Sequence, residues 1–352
     1  MKIDGREIGS NSKPYIIAEV SANHNGSLDR ALNLIRLGKQ AGADAIKLQT
    51  YTPDSLTIDA PTPDFLIHGG LWDKRTLYDL YSEAQTPWDW HEALFEEARN
   101  QDITMFSSPF DADAIDLLET LNCPAYKIAS FEIIDLALIR KAASTGKPLI
   151  ISTGLANRDE IREAVETARE SGASEIALLH CLSSYPAPPS HYKLGTIPVL
   201  RQDFGCEIGL SDHTIGNDVA IASVALGASL VEKHFTLDRN GNGPDDSFSM
   251  DVDGLAALRS SLDVAWSSLG FDDFKIQESE KENLRFRRSL YFVRNVALGE
   301  VISESDVRSI RPGYGVAPKN LSRIIGVRCP IDVVRGQRVT QDFLDLCTTG
   351  HQ

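Results

Sequence analysis

Along the first three quarters of the chain, short apolar runs alternate with amphipathic segments of helical length. The runs at 15–20, 43–49, 103–107, 125–128, 149–152 and 176–180 read as strands, each closing on a small or polar residue. Apolar positions at helical spacing over about 28–40, 112–121, 136–144 and 158–171, with a short stretch at 196–202, read as the intervening helices. Two further strands close on His213 and His234 and flank an Ala-rich helix over 215–227, and a last helix spans about 254–269. Thr86-Pro87 opens another helix, because Pro suits a first helical turn. Eight strands, each followed by a helix, in about 270 residues predict an α/β fold, a (β/α)8 TIM barrel. No GxGxxG follows the first strand, so a dinucleotide fold has no direct support.

Three stretches break the rhythm. The first residues, with Asp4-Gly5 as the turn, predict a hairpin over 1–12. Residues 51–85 are a long insertion whose aromatic content argues for order. After Gly270 a highly charged stretch, 277–288, reads as a linker helix, and a compact β-rich unit of short strands and turns follows. The expected organisation is thus a hairpin (1–12), a barrel (13–270), a linker (271–283) and a small β-rich domain (284–352).

Composition narrows the class. No apolar run approaches the roughly 18 residues of a membrane span, and the charged, alternating N-terminus is not patterned as a signal peptide. Five cysteines without a CxxC read as reduced thiols, which suggests a cytoplasmic protein. A net charge of −15 argues against nucleic acid as a partner. The charge is uneven: from residue 284 onward eleven Lys/Arg face six Asp/Glu, so a basic tail follows an acidic body.

The candidate chemistry lies at strand ends, where barrel side chains converge on ligands. His213 and His234 close neighbouring strands, and two neutral imidazoles suit a divalent metal with several open positions. Lys47 and Lys127 sit in apolar runs, and Ser108, Ser130, Ser152, Ser183 and Ser211 fall at predicted carboxyl ends. Two ammonium groups and several hydroxyls at one mouth make an anion site, most naturally for phosphate plus carboxylate. Glu19 either pairs with one of those lysines or serves as a base or water-orienting group, and Gln49 is a further candidate to hold that water. Asp245 and Asp246 lie in the loop after the last strand, which either merely turns or meets the substrate.

These residues carry a family resemblance. Glu19 with Asn23-His24-Asn25-Gly26, Lys47-Leu48-Gln49-Thr50, Tyr126-Lys127-Ile128-Ala129-Ser130, Ser152-Thr153-Gly154, Leu179-His180-Cys181, Tyr185-Pro186, Ser211-Asp212-His213-Thr214, Glu232-Lys233-His234-Phe235-Thr236 and Gly243-Pro244-Asp245 resemble the sialic acid synthases over nearly the whole chain. Arg311-Pro312-Gly313-Tyr314-Gly315 resembles the family's antifreeze-like (SAF) domain. Trp72, Thr76 to Tyr81, Thr86 to Trp90 and Asp245-Asp246-Ser247-Phe248-Ser249 are most similar to the branch of pseudaminic acid synthases. Position 183 is Ser where N-acetylneuraminate synthases often have Asn.

The resemblance implies condensation of phosphoenolpyruvate with an open-chain acetamido sugar, for this branch 2,4-diacetamido-2,4,6-trideoxy-altrose. It implies Mn2+ or Mg2+ on His213 and His234, and Glu19 at the attacking water. Phosphoenolpyruvate would lie against Lys47, Ser108, Lys127, Ser130, Ser152, Ser183 and Ser211. The sugar would lie against Gln49, Tyr185, Asp245, Phe248 and Arg311. It further implies a homodimer in which each C-terminal domain closes its partner's barrel. Two alternatives stay open at this level: another nonulosonate synthase or spore-coat homologue, and a non-catalytic carbohydrate-binding barrel.

Overall fold

The computed structural model describes residues 1–173, 175–270 and 274–349. The chain divides into two compact units, Met1–Gly270 and Phe271–Gln352. The first is a closed barrel of eight parallel strands: β1 (Tyr15–Glu19), β2 (Ala45–Thr50), β3 (Thr104–Pro109), β4 (Tyr126–Ile128), β5 (Leu149–Ser152), β6 (Ile176–Cys181), β7 (Glu207–Asp212) and β8 (Leu230–His234). Each pairs with the next in sequence, and β8 closes on β1, as the alternating pattern predicts.

Strand alternation decides what enters the barrel. In β2, Ile46 faces outward, where its Cδ1 lies so close to Gly38 of helix α1 (Leu28–Gln40) that a Cβ at position 38 would collide with it. Lys47 is turned the other way, into the barrel. Helix α1 begins where the Ser27 side chain accepts the Arg30 N–H, and it buries Ala31, Leu34, Ile35 and Gly38 against the strands. Each fully buried Leu or Ile on such a face contributes about 1.5–3 kcal/mol. At the amino end of the strands, the N-terminal hairpin pairs Lys2–Ile3 with Arg6–Glu7 and buries Ile3 and Ile8 in the barrel core. Arg6 ion-pairs with Asp44, whose other oxygen accepts the Ile16 N–H at 2.7 Å.

The 51–85 insertion is ordered, as its aromatic content suggests, with helices Pro53–Leu56 and Leu77–Ala84 and a 3-10 turn at Pro63–Phe65. Details depart from expectation in two places. Thr86-Pro87 leads into a 3-10 turn, Trp88–Trp90, before the helix His91–Asn100. The charged stretch forms 3-10 turns over Glu278–Phe286, where all side chains are exposed and no apolar face favours a regular helix.

In the second unit, Ser289–Phe292 pairs antiparallel with Val307–Ile310, and Leu290, Phe292, Ile302, Ile324 and Val339 form a separate core. A closing helix, Gln341–Thr349, buries Phe343, Leu344 and Cys347 in that core; its short sequence offered too little pattern to predict it. No helix among the described residues is long and apolar enough to cross a membrane.

Candidate active site

The strand register builds a layer of charge inside the barrel. Glu19 stands beside Lys47 in the β1–β2 ladder, and His234 stands beside Glu19 in β8–β1. Lys47 Nζ lies 2.8 Å from Glu19 Oε2 and 3.5 Å from Glu232 Oε1, and it donates to Ser108 Oγ at 3.2 Å. Lys127 Nζ donates to the same Glu232 oxygen at 3.2 Å. All four charged groups are at most 4% exposed. Both lysines therefore have carboxylate partners, with Glu232 shared between them and Glu19 paired with Lys47.

The four groups do not share one electrostatic situation. Burial pushes the Glu19 carboxyl above its ordinary range, against the pull of Lys47. Burial also opposes ionisation of Glu232, but two flanking ammonium groups outweigh it and hold that carboxyl low. Lys127 is lowered by burial, with Glu232 pulling the other way. Burial likewise acts to lower Lys47, but two carboxylates outweigh it and leave Lys47 raised. Removing one member of such a set typically costs 3–5 kcal/mol, because it strands a buried charge.

Hydroxyls surround this layer. Ser130 Oγ accepts the Gly154 N–H at 3.2 Å, and a Cβ at position 154 would collide with the hydroxyl oxygens of Ser130 and Ser183. Only glycine lets the β5 end approach the two serines this closely. The hydroxyls of Ser152 and Ser183 are buried without a hydrogen-bond partner, so they are donors held ready for an acceptor. Ser211 Oγ lies 3.4 Å from both Glu232 Oε1 and His213 Nε2. Gln49 Nε2 donates to Glu19 Oε1 at 2.9 Å and to Ser21 Oγ at 3.0 Å, so it orients the carboxylate.

The rings of His213 and His234 are 5.5 Å apart between centroids. His213 Nδ1 lies 2.8 Å from the Leu182 carbonyl, which can only accept; the proton is therefore on Nδ1, and Nε2 carries the lone pair, with Ser211 Oγ at 3.4 Å. Burial lowers His213 to about 4, and burial together with neighbouring cations holds His234 well below its ordinary value. Both rings are thus neutral near pH 7, the form that binds metal. His234 Nδ1 is buried without a hydrogen-bond partner and lies 3.7 Å from Asp245 Oδ2. Among the described residues no third His, Cys, Asp or Glu completes a cluster of three. The set fits an ion that two imidazoles hold and whose other positions stay open to substrate and water.

One wall of the mouth is aromatic. Tyr185 lies 4.2 Å from the His213 ring, 5.3 Å from Phe248 and 6.1 Å from Trp72 of the insertion. Phe248 packs on His234 at 5.1 Å. The loop carrying Asp245 and Phe248 does more than turn. Asp246 accepts from Asn25 Nδ2 at 2.8 Å, from the Gly243 N–H at 2.9 Å and from Arg30 at 3.3 Å, and it bonds the Thr236 hydroxyl. Trp72 Nε1 donates to the Pro244 carbonyl at 3.2 Å, tying the insertion to this loop.

Two residues escaped the sequence reading. Glu232 lay in the quoted Glu232-Lys233-His234 run, and strand alternation with His234 was the signal that it points inward. Glu132, just past Ser130, has a buried oxygen without a hydrogen-bond partner, and burial pushes it up to about 7. Its place in an irregular turn left no periodic signal. Arg311 belongs to the second unit and is exposed there; its loop is held by Ser289 Oγ donating to the Pro312 carbonyl at 2.7 Å and by Gly313 N–H donating to Arg285 O at 2.9 Å.

Residues 34–273 match the NeuB family and residues 287–345 the SAF domain. The chain is 44% identical to a pseudaminic acid synthase of Helicobacter pylori, over 89% of this chain and 92% of that one. It is 43% identical to the pseudaminic acid synthase of Campylobacter jejuni, over 95% and 98%. The solved N-acetylneuraminic acid synthetase of Leptospira borgpetersenii, in complex with citrate, superposes with a TM-score of 0.73 at 31% identity, covering 82% of this chain and 95% of that one.

Proposed function

The chain belongs to the NeuB family, and from that premise we propose that it is an enzyme condensing phosphoenolpyruvate with 2,4-diacetamido-2,4,6-trideoxy-altrose and water to give pseudaminic acid and phosphate. The observation that carries this reading is the layer of Lys47, Lys127 and unpartnered Ser152 and Ser183 hydroxyls beside two neutral imidazoles. That layer supplies an anion cradle against a site for an electrophile.

In this proposal Lys47, Lys127 and the hydroxyls of Ser108, Ser130, Ser152, Ser183 and Ser211 hold the phosphate and carboxylate of phosphoenolpyruvate. The orphaned hydroxyls gain acceptors on binding, which offsets part of the cost of desolvating the anion. Gln49, Tyr185, Asp245 and Phe248 hold the sugar. The C3 carbon of phosphoenolpyruvate then attacks the sugar aldehyde carbon, and C2 becomes cationic. Glu19 takes a proton from the water that attacks C2, which suits a carboxylate whose burial has raised its basicity. The C2–O bond to phosphate breaks, and phosphate leaves with the bonding pair. The alkoxide formed from the aldehyde takes up a proton, which balances the one that Glu19 removes from water. Mn2+ or Mg2+ on His213 and His234 would, when bound, supply Lewis-acid polarisation of that aldehyde oxygen. Holding both substrates face to face lowers the barrier by about 7–11 kcal/mol.

The proposal extends to a homodimer in the cytoplasm, with Arg311 of one subunit reaching the sugar in its partner's barrel. A non-catalytic sugar-binding barrel finds no support, since Glu19, both lysines and both histidines are retained. The test is phosphate release from phosphoenolpyruvate with a panel of 2-acetamido and 2,4-diacetamido hexoses. The 2,4-diacetamido-2,4,6-trideoxy-altrose should be preferred over N-acetylmannosamine, with the added hydroxyl at carbon 6 accounting for about a hundredfold or less of the preference, the limit for an apolar pocket. Preference for N-acetylmannosamine would transfer the assignment to the N-acetylneuraminate branch.

A further inference from the structure

On the outer face of the barrel wall, behind the two histidines, lies an ion pair that the proposed reaction does not use. Each histidine is preceded by a charged residue, Asp212 before His213 and Lys233 before His234. Strand alternation turns these two away from the mouth as it turns the histidines towards it. Asp212 and Lys233 are partners in register and end the ladder between β7 and β8. They are 1% and 4% exposed. Lys233 Nζ donates to Asp212 Oδ2 at 2.7 Å and to the Thr214 carbonyl at 2.7 Å. Asp212 Oδ1 accepts the Thr214 N–H at 2.9 Å. An ammonium group on one strand therefore grips the other strand on both sides of His213.

We propose that Asp212 and Lys233 are positioning residues that set the separation of His213 and His234 and thereby the affinity of the divalent-ion site. The inference rests on the metal reading given above. Fold stability is a poor reason for this pair, because buried ion pairs are often replaceable by apolar residues at no loss. What apolar side chains do not supply is direction. Three hydrogen bonds of fixed geometry bracket His213 and tie it to the residue before His234. A site with only two protein ligands has no third donor to correct a misplaced ring, so both imidazoles must stay within about 0.5 Å of the productive arrangement.

The experiment uses the full chain and Mn2+ as probe. The variants are Lys233→Met, which strands a buried carboxylate, and Asp212→Asn/Lys233→Met, which removes both charges and so avoids unfolding through an unpaired ion. Free Mn2+ is measured by electron paramagnetic resonance, and phosphoenolpyruvate binding is measured separately in chelator. The double variant should bind Mn2+ about tenfold or more weakly. Its affinity for phosphoenolpyruvate in chelator should stay near the parent's, and its turnover should recover as Mn2+ is raised. Lys233→Arg, which keeps a donor and the charge, should recover part of the Mn2+ affinity. A folded double variant that loses less than about tenfold in Mn2+ affinity overturns the inference. So does an equal loss of phosphoenolpyruvate affinity, the mark of a general disturbance. A parent that binds no Mn2+, or a His213→Ala variant that binds it as the parent does, overturns the metal reading and this inference with it.

Discussion

Glu232 takes one oxygen to within 3.2 Å of one ammonium group and 3.5 Å of another, so a change at either lysine is felt at both. Lys127→Ala should weaken phosphoenolpyruvate binding by about ten- to a hundredfold, the worth of one charged hydrogen bond, and neutral-sugar binding far less. Separate titrations with each substrate check this, and equal losses would count against the placement. Glu132 gives a pH signature. Its folded carboxyl is raised from 4.5 to about 7 by burial, so between those values the folded state holds a proton that the unfolded state has lost. Its contribution is present below about pH 4.5 and is lost as pH rises through about 7. Glu132→Gln should remove that part of the slope, a difference of about 1–3 kcal/mol across the window. Thermal midpoints of parent and variant from pH 4 to 8 read it directly. At this scale the histidines, lysines and serines were legible because each lies within, or just past the end of, an apolar strand run. Glu132 was not, since its proton affinity comes from burial that only the folded chain supplies.

At the scale of elements, the loop after β8 is organised by one side chain. Asp246 is 1% exposed and bonds Asn25, Arg30, Thr236 and the Gly243 N–H, so it holds the loop to the β1 end and to helix α1. Asp246→Asn keeps the shape but cannot accept from all of these donors and loses the charge that Arg30 meets. It should cost about 1–3 kcal/mol in stability. It should also raise the KM for the sugar more than that for phosphoenolpyruvate, because Asp245 and Phe248 ride on the same loop. Steady-state kinetics with each substrate varied would show the split. The strands and their helices were legible as periodicity. The order inside 51–85 was announced only by its aromatics: short helices there depend on contacts such as Trp72 with the Pro244 carbonyl, which are remote in sequence.

At the scale of the molecule, the proposed exchange of C-terminal domains has a complementation test. Arg311→Ala should lose sugar affinity and His213→Ala should lose metal-dependent turnover. In a swapped dimer mixed from both, one barrel receives an intact Arg311 and keeps an intact His213, so random mixing should restore about a quarter of parental activity. Verified subunit exchange with no recovery would rule out the swap or the role of Arg311.

The sequence by itself determined the eight-fold strand–helix rhythm, the second β-rich unit and the line of polar residues at strand ends. Each of these is a local property: periodicity, composition, or the last residue of an apolar run. Tertiary structure alone decided that Glu19 and Glu232 neutralise the two lysines, and that Asp212 and Lys233 meet behind the histidines. It also decided that Gly154 lets two serines close on the β5 end. Those contacts join strands up to about a hundred residues apart, and their distances follow from barrel closure and register, which no single stretch of sequence contains.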